Sequence, residues 1–192
     1  KLIDEKFIVG KSSDCNDDYD ILLFACRDIE KAVIPSCIKS IGQFAFSWCK
    51  NLQSIEFSKD SKIVSFEKDA FSKSSLKEIR IPSHLKEIGE RSFFKCSNFK
   101  SIEFIENSEL RLIMKKAFSF TPLKNILIPS SVQQICERSF YSCRELESVE
   151  FEKDSELVII EKYAFSMSSI NEILIPSKVN QIGERCFFKC EK

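Results

Sequence analysis

Apolar residues along this chain recur in blocks of one shape. Short alternating runs read Ala32-Val-Ile34, Ile55-Glu-Phe57, Ile79-Arg-Ile81, Ile102-Glu-Phe104, Ile126-Leu-Ile128, Val149-Glu-Phe151 and Ile173-Leu-Ile175. Alternation with a period of two predicts strands with one buried face. Their starts step by 23, 24, 23, 24, 23 and 24 residues, so the repeat is a pair of unequal coils with a period of 47. An apolar residue leads each strand from the second onward (Leu52, Leu76, Phe99, Leu123, Leu146, Ile170), and a second apolar pair follows, as in Leu85/Ile88 and Val132/Ile135. An aromatic then closes each coil: Phe46, Phe71, Phe93, Phe118, Phe140, Phe165 and Phe187. A strict period of this length predicts a solenoid, in which equivalent side chains stack into ladders.

The physics of stacking sets the period. Ordering a coil costs ~1–2 kcal/mol per residue in backbone entropy. One coil alone buries too little to offset that, whereas each Leu, Ile or Phe buried between neighbours returns ~1.5–3 kcal/mol. Pro35, Pro82, Pro129 and Pro176 each follow a strand in the same phase, where the missing N–H predicts an end to the ladder. Residues 1–28 depart from the pattern. Phe7-Ile-Val9 and Ile21-Leu-Leu-Phe24 predict two short strands joined by a polar loop, and the segment reads as an N-terminal cap that is partly a degenerate repeat. The regular solenoid spans 29–192. The sequence opens at Lys1 and stops at Lys192 in mid-repeat, which reads as a fragment or as a processed or engineered chain.

Composition removes several functions. Lys+Arg and Asp+Glu both number 29, so no global charge draws the chain to nucleic acid or an anionic membrane. No apolar run reaches the ~20 residues of a membrane span. There is no Gly-rich phosphate loop, no H-E-x-x-H and no G-x-S-x-G, and His84 is the sole histidine. The sequence therefore implies no enzyme, no cofactor and no metal. Nine cysteines raise disulfides instead. Cys49, Cys96, Cys143 and Cys190 share one phase, ~10 Å apart on successive double coils, too far to bridge. They read as small buried apolar groups. Cys15 with Cys37, and Cys26 with Cys49, share a phase in adjacent coils, which leaves their pairing open. Glu90-Arg91, Glu137-Arg138 and Glu184-Arg185 read as ion-pair ladders, and the turns at Asp60, Asn107 and Asp154 as Asx-turns.

Outward strand positions carry the functional expectation. The central stripe is Val33, Glu56, Arg80, Glu103, Leu127, Glu150 and Leu174, beside Lys31, Ser54, Glu78, Ser101, Asn125, Ser148 and Glu172. An ordinary solvated sheet accounts for Glu56, Arg80 and Glu103, since opposite charges on adjacent strands attract. It accounts less well for apolar Leu127 and Leu174 in a polar stripe. The expected ligand-binding residues are Val33, Glu56, Glu78, Arg80, Glu103, Leu127, Glu150, Glu172 and Leu174.

The string Ile79-Arg-Ile-Pro-Ser-His-Leu85, with Ile88-Gly89, Phe93, Cys96 and Phe99, closely resembles the BspA-like leucine-rich repeats. Ala32-Val-Ile-Pro35, Ile41-Gly42, Ala45-Phe46, Cys49 and Leu52 repeat the match, which covers 29–192. Cys136 stands where other copies have glycine, and Ser92 and Ser139 where they have alanine. The family occurs on surface proteins of mucosal bacteria and in anaerobic protist parasites. The resemblance implies a β-rich leucine-rich-repeat solenoid: a right-handed stack of about seven coils with a strand-lined inner face and an irregular N-terminal cap. It also implies a cell-surface or secreted adhesion module with a protein ligand, such as a host extracellular or cell-surface protein. The alternative is a cytoplasmic scaffold using the same face, favoured by unpaired cysteines and the absence of an N-x-S/T sequon.

Overall fold

The computed structural model describes residues 1–12 and 18–190. Among these there are strands and turns but no helix. The strands are β1 (Leu2–Ile3), β2 (Phe7–Gly10), β3 (Ile21–Ala25), β4 (Lys31–Ile34), β5 (Ser40–Ile41), β6 (Ser54–Phe57), β7 (Ser65–Phe66) and β8 (Glu78–Ile81). They continue as β9 (Glu87–Ile88), β10 (Ser101–Phe104), β11 (Leu112–Ile113), β12 (Asn125–Ile128), β13 (Gln134–Ile135), β14 (Ser148–Phe151), β15 (Ile159–Ile160) and β16 (Gln181–Ile182). The chain is a β-solenoid of about seven coils, as the period predicts.

The continuous sheet is not the one the alternating runs suggest. It runs β1-β2-β3-β5-β7-β9-β11-β13-β15-β16, antiparallel through β3 and parallel from there on. Its two-residue strands fall on the second apolar pair of each coil. At such short strands the alternating pattern has no length in which to register, so the sequence shows only packing rungs there.

The four-residue strands of the repeats instead join in three separate pairs: β4–β6, β8–β10 and β12–β14. Proline explains the spacing. The residue after β10 donates back to the preceding coil, Ile105 N–H to Ile81 O at 3.3 Å, and Glu152 does the same to Ile128 O at 3.0 Å. After β8 and β12 that position is Pro82 or Pro129, which has no N–H to give. Ladders therefore form across the short step and not across the long one. This corrects the expectation of seven equal strands: Ile173-Leu-Ile175 is not a strand. It precedes Pro176 and stands a long step of 24 residues from Val149 of β14, the step across which no ladder forms.

The third side is made of turns. Each coil places two non-glycine residues, four apart, in the left-handed region, such as Phe44 and Trp48 (φ 59° and 62°) or Arg91 and Lys95 (both 56°). That conformation costs about 1–2 kcal/mol per residue. Stacking offsets it, because alternate amides bond to the next coil and the others close turns within their own. Arg91, Phe93 and Lys95 donate to Lys115, Ala117 and Ser119, while Ser92, Phe94 and Cys96 donate to Gly89, Arg91 and Phe93. No backbone donor in the segment is left over.

Inside, the closing phenylalanines form one column of stacked rings. Centroid separations are 5.4 Å for Phe46–Phe71, 5.0 Å for Phe71–Phe93, 5.2 Å for Phe93–Phe118 and 5.1 Å for Phe140–Phe165. These follow the ~4.8 Å spacing of adjacent strands. The eight described cysteines are free thiols. Cys26 and Cys49 are thus unbonded, the Cys49 thiol pointing at Cys26 O at 3.7 Å. Cys15, and with it any pairing to Cys37, lies outside the described residues.

Candidate binding face

Parallel pairing sets the expected binding side chains opposite one another. Val33 faces Glu56, Glu78 faces Ser101, Arg80 faces Glu103 and Leu127 faces Glu150. Alternation turns all of them outward. Val33 is 62% exposed, Leu127 50% and Leu174 80%, an apolar content that water alone does not favour. Arg80 Nε lies 3.3 Å from Glu103 Oε1 with both side chains largely in solvent, so this pair contributes little to stability. Glu172 and Leu174 are exposed but stand on the stretch that forms no strand, apart from the paired set.

Where β6 meets β8 without a ladder, the face opens. A cleft of about 850 Å³ spans the ends of β6, β8 and β10 and the turns that follow them. Glu56, Arg80 and Glu103 line it, with Phe57, Ser58, Pro82, His84 and Asn107. Pro82 is the missing donor described above, so the residue that interrupts the ladder also lines the opening. Ser58 Oγ is buried there with no hydrogen-bond partner, an uncompensated polar atom of the kind that a ligand or a water can satisfy. On the rim His84 Nδ1 lies 2.9 Å from Glu109 Oε1. That hydrogen bond, with the nearby charges of Lys86 and Arg111, holds the Glu109 carboxyl below the usual glutamate value. Among the described residues no three His, Cys, Asp or Glu side chains converge as a metal site would require. The cleft presents charged groups of both signs, Arg80 and His84 beside Glu56, Glu103 and Glu106.

The Glu-Arg dipeptides form ion pairs both within a coil and between coils, the latter including Glu137 with Lys115 and Lys162. Arg138 and Arg185 pair with Glu137 and Glu184. Arg91 instead reaches Asp69 of the preceding coil at 3.1 Å, and Glu90 takes Lys68. Around these ion pairs the turn side exposes Phe44, Trp48, Phe120 and Phe188, a feature the sequence reading passed over. The signal was present as the residues two before and two after each buried closing aromatic, or next to it. For Phe44, Trp48 and Phe120 the outward direction depends on left-handed backbone that apolar periodicity does not encode.

The BspA type leucine-rich repeat region model matches six copies over residues 22–118 and 111–192. A search of characterised proteins finds none with significant sequence similarity. Among solved structures, a leucine-rich cell surface protein of Faecalibacterium prausnitzii superposes with TM-score 0.75 at 23% identity, over 96% of this chain and 50% of that one. A leucine-rich repeat protein of Eubacterium ventriosum gives 0.74 at 23%, over 90% and 46%. The pneumococcal vaccine antigen PcpA gives 0.62 at 23%, over 88% and 40%. The chain thus spans half or less of the length of these three structures, and at such identity the likeness speaks for the fold. With the family match running from the third strand to the last coil, this chain belongs to the BspA type leucine-rich repeat family.

Proposed function

We propose that this chain is a non-catalytic protein-binding module of a cell-surface or secreted protein, holding its ligand on the strand-lined face. One observation carries the reading: the cleft of about 850 Å³ falls on Glu56, Arg80 and Glu103, three of the outward side chains that the repeat leaves free to vary. Exposed Val33 and Leu127 on the flanking strand pairs supply apolar anchors beside that polar centre, the arrangement in which interface energy concentrates. The structural relatives described as a cell surface protein and as a vaccine antigen favour an outside location. Adhesion to a host protein is the finer form of this proposal.

The test is an affinity capture from host and self extracts, run in parallel with wild type, with Leu127→Ser/Leu174→Ser and with Arg80→Glu. A protein retained by wild type and lost from both variants, at unchanged melting temperature, supports the strand face. Equal capture by all three moves the site elsewhere. A second reading, a cytoplasmic scaffold using the same face, is favoured by the free state of the eight described cysteines. Titration of free thiols on the protein isolated from its source separates the two, since formed disulfides place it outside the reducing cytosol.

A further inference from the structure

The turn side carries a second patch of different chemistry. Trp48, Lys73, Lys95 and Phe120 occupy the same phase in four successive coils, joined by the amide ladder of that side: Trp48 N–H to Ser72 O, Lys73 N–H to Phe94 O and Lys95 N–H to Ser119 O. Lys73 Nζ sits 4.3 Å from the centre of the Trp48 ring, which Lys50 also covers at 5.0 Å. Lys95 lies 5.3 Å from the rings of both Phe94 and Phe120. Among the described residues none of these three lysines has a carboxylate within ion-pair distance. Two unneutralised lysines on adjacent coils, ~4.8 Å apart at the backbone, repel each other. A bound anionic group between them would reverse that sign.

A hollow of about 280 Å³ adjoins Lys73, bounded also by Arg27, Phe44, Trp48 and Arg91. Its one acid, Asp69, is buried and already engaged by Arg91 Nε at 3.1 Å. Arg27 gives its Nη1 to Ala25 O, Ala45 O and the Cys49 sulfur, all neutral acceptors. The local charge is therefore strongly positive on a chain of net charge zero. The rings hold the cations in place, which lowers the entropy lost when they are engaged. With cations over the faces of Trp48 and Phe94, stacking of bases or sugar rings is obstructed, while carboxylates reach the ammonium groups freely.

We infer that this turn-side patch docks an acidic peptide segment of a protein partner, its carboxylates between Lys73 and Lys95 and its apolar side chains on the exposed edges of Phe44 and Phe120. The site is separate from the strand face and does not depend on it.

Trp48 is the only tryptophan of the chain, so its fluorescence reports on this patch. The protein is titrated at low salt with a synthetic Glu-rich peptide carrying interspersed Leu, with the same peptide bearing Gln for Glu, with heparin and with oligothymidylate. The expected result is a saturable change in Trp48 emission with the Glu peptide, absent with its Gln counterpart and weakening as salt rises. Lys73→Gln/Lys95→Gln, whose unchanged melting temperature is checked alongside, should lose about tenfold or more in affinity. Leu127→Ser/Leu174→Ser should lose none. The inference is overturned if the Glu peptide leaves Trp48 unchanged or if the lysine variant binds as well as wild type. Heparin or oligothymidylate binding as tightly as the peptide overturns it equally, as charge attraction without peptide recognition.

Discussion

Cys96 donates its thiol to the main-chain oxygen of Phe71, one coil earlier, at 2.9 Å. The same bond recurs as Cys143 to Phe118 O at 3.1 Å and Cys190 to Phe165 O at 3.2 Å. Ser74, Thr121 and Ser168 stand beside these sulfurs at 3.5, 3.4 and 3.2 Å. The cysteine ladder therefore does more than fill space. It satisfies carbonyls on the turn side, alternating with hydroxyls in the longer coils.

Burial pushes the Cys96 and Cys143 thiols up to about 11, against 9.0 for a free one, despite the hydroxyls beside them. Because the thiolate is the reactive form, brief alkylation of the native protein near pH 8 should label exposed Cys37 and leave Cys96 and Cys143 intact, read by peptide mapping. The folded state keeps protons that the unfolded chain releases, so these groups lower stability as pH rises above 9 towards about 11. Equal labelling of Cys37 and Cys96 would show that the ladder opens.

Phe93 stacks on Phe71 at 5.0 Å, Phe118 at 5.2 Å and Phe99 at 4.8 Å, with no exposed surface. Phe93→Ala removes the middle of the ring column and should cost about 3–5 kcal/mol in chemical denaturation. A loss under about 1 kcal/mol would mean that neighbouring coils close the gap.

Burial alone would raise the Glu137 carboxyl, but the Lys115 hydrogen bond and charge, with those of Lys162 and Arg138, bring it below 4.5. Lys115 lies 3.0 Å away and Lys162 3.8 Å. A folded value below the unfolded one stabilises above pH 4.5, and that contribution fades as pH falls through the folded value. Glu137→Gln should therefore cost about 1 kcal/mol at pH 7, and less in high salt. Melting curves of the two proteins should converge in acid.

Leu127→Ser/Leu174→Ser deletes side chains that already meet solvent, so the melting temperature should stay within a few degrees of wild type. A large drop, measured by circular dichroism, would show that these leucines are structural.

The fold was legible because period and burial coincide. Ile79, Leu85, Ile88, Phe93 and Cys96 all lie where the repeat places them, below 4% exposure. The alternating runs also marked the outward residues Arg80 and Glu103. Less legible was what depends on hydrogen bonds between coils. Pro82 was readable as a stop to its own ladder, yet its effect on the preceding coil, and so the cleft, needs two coils at once. Trp48, Lys73 and Lys95 form a patch only because left-handed backbone turns them outward together.

The proline in alternate coils also has a mechanical meaning. Coils joined across the short step share a strand ladder, while across the long step that face has no ladder and is held by side-chain packing with a single flanking bond such as Lys77 N–H to Gln53 O at 3.3 Å. Bending or twisting of the solenoid should concentrate at the long steps, making the double coil a stiff segment and each proline a joint. A ligand laid along the strand face would then meet a chain of such segments, able to adjust its curvature one joint at a time.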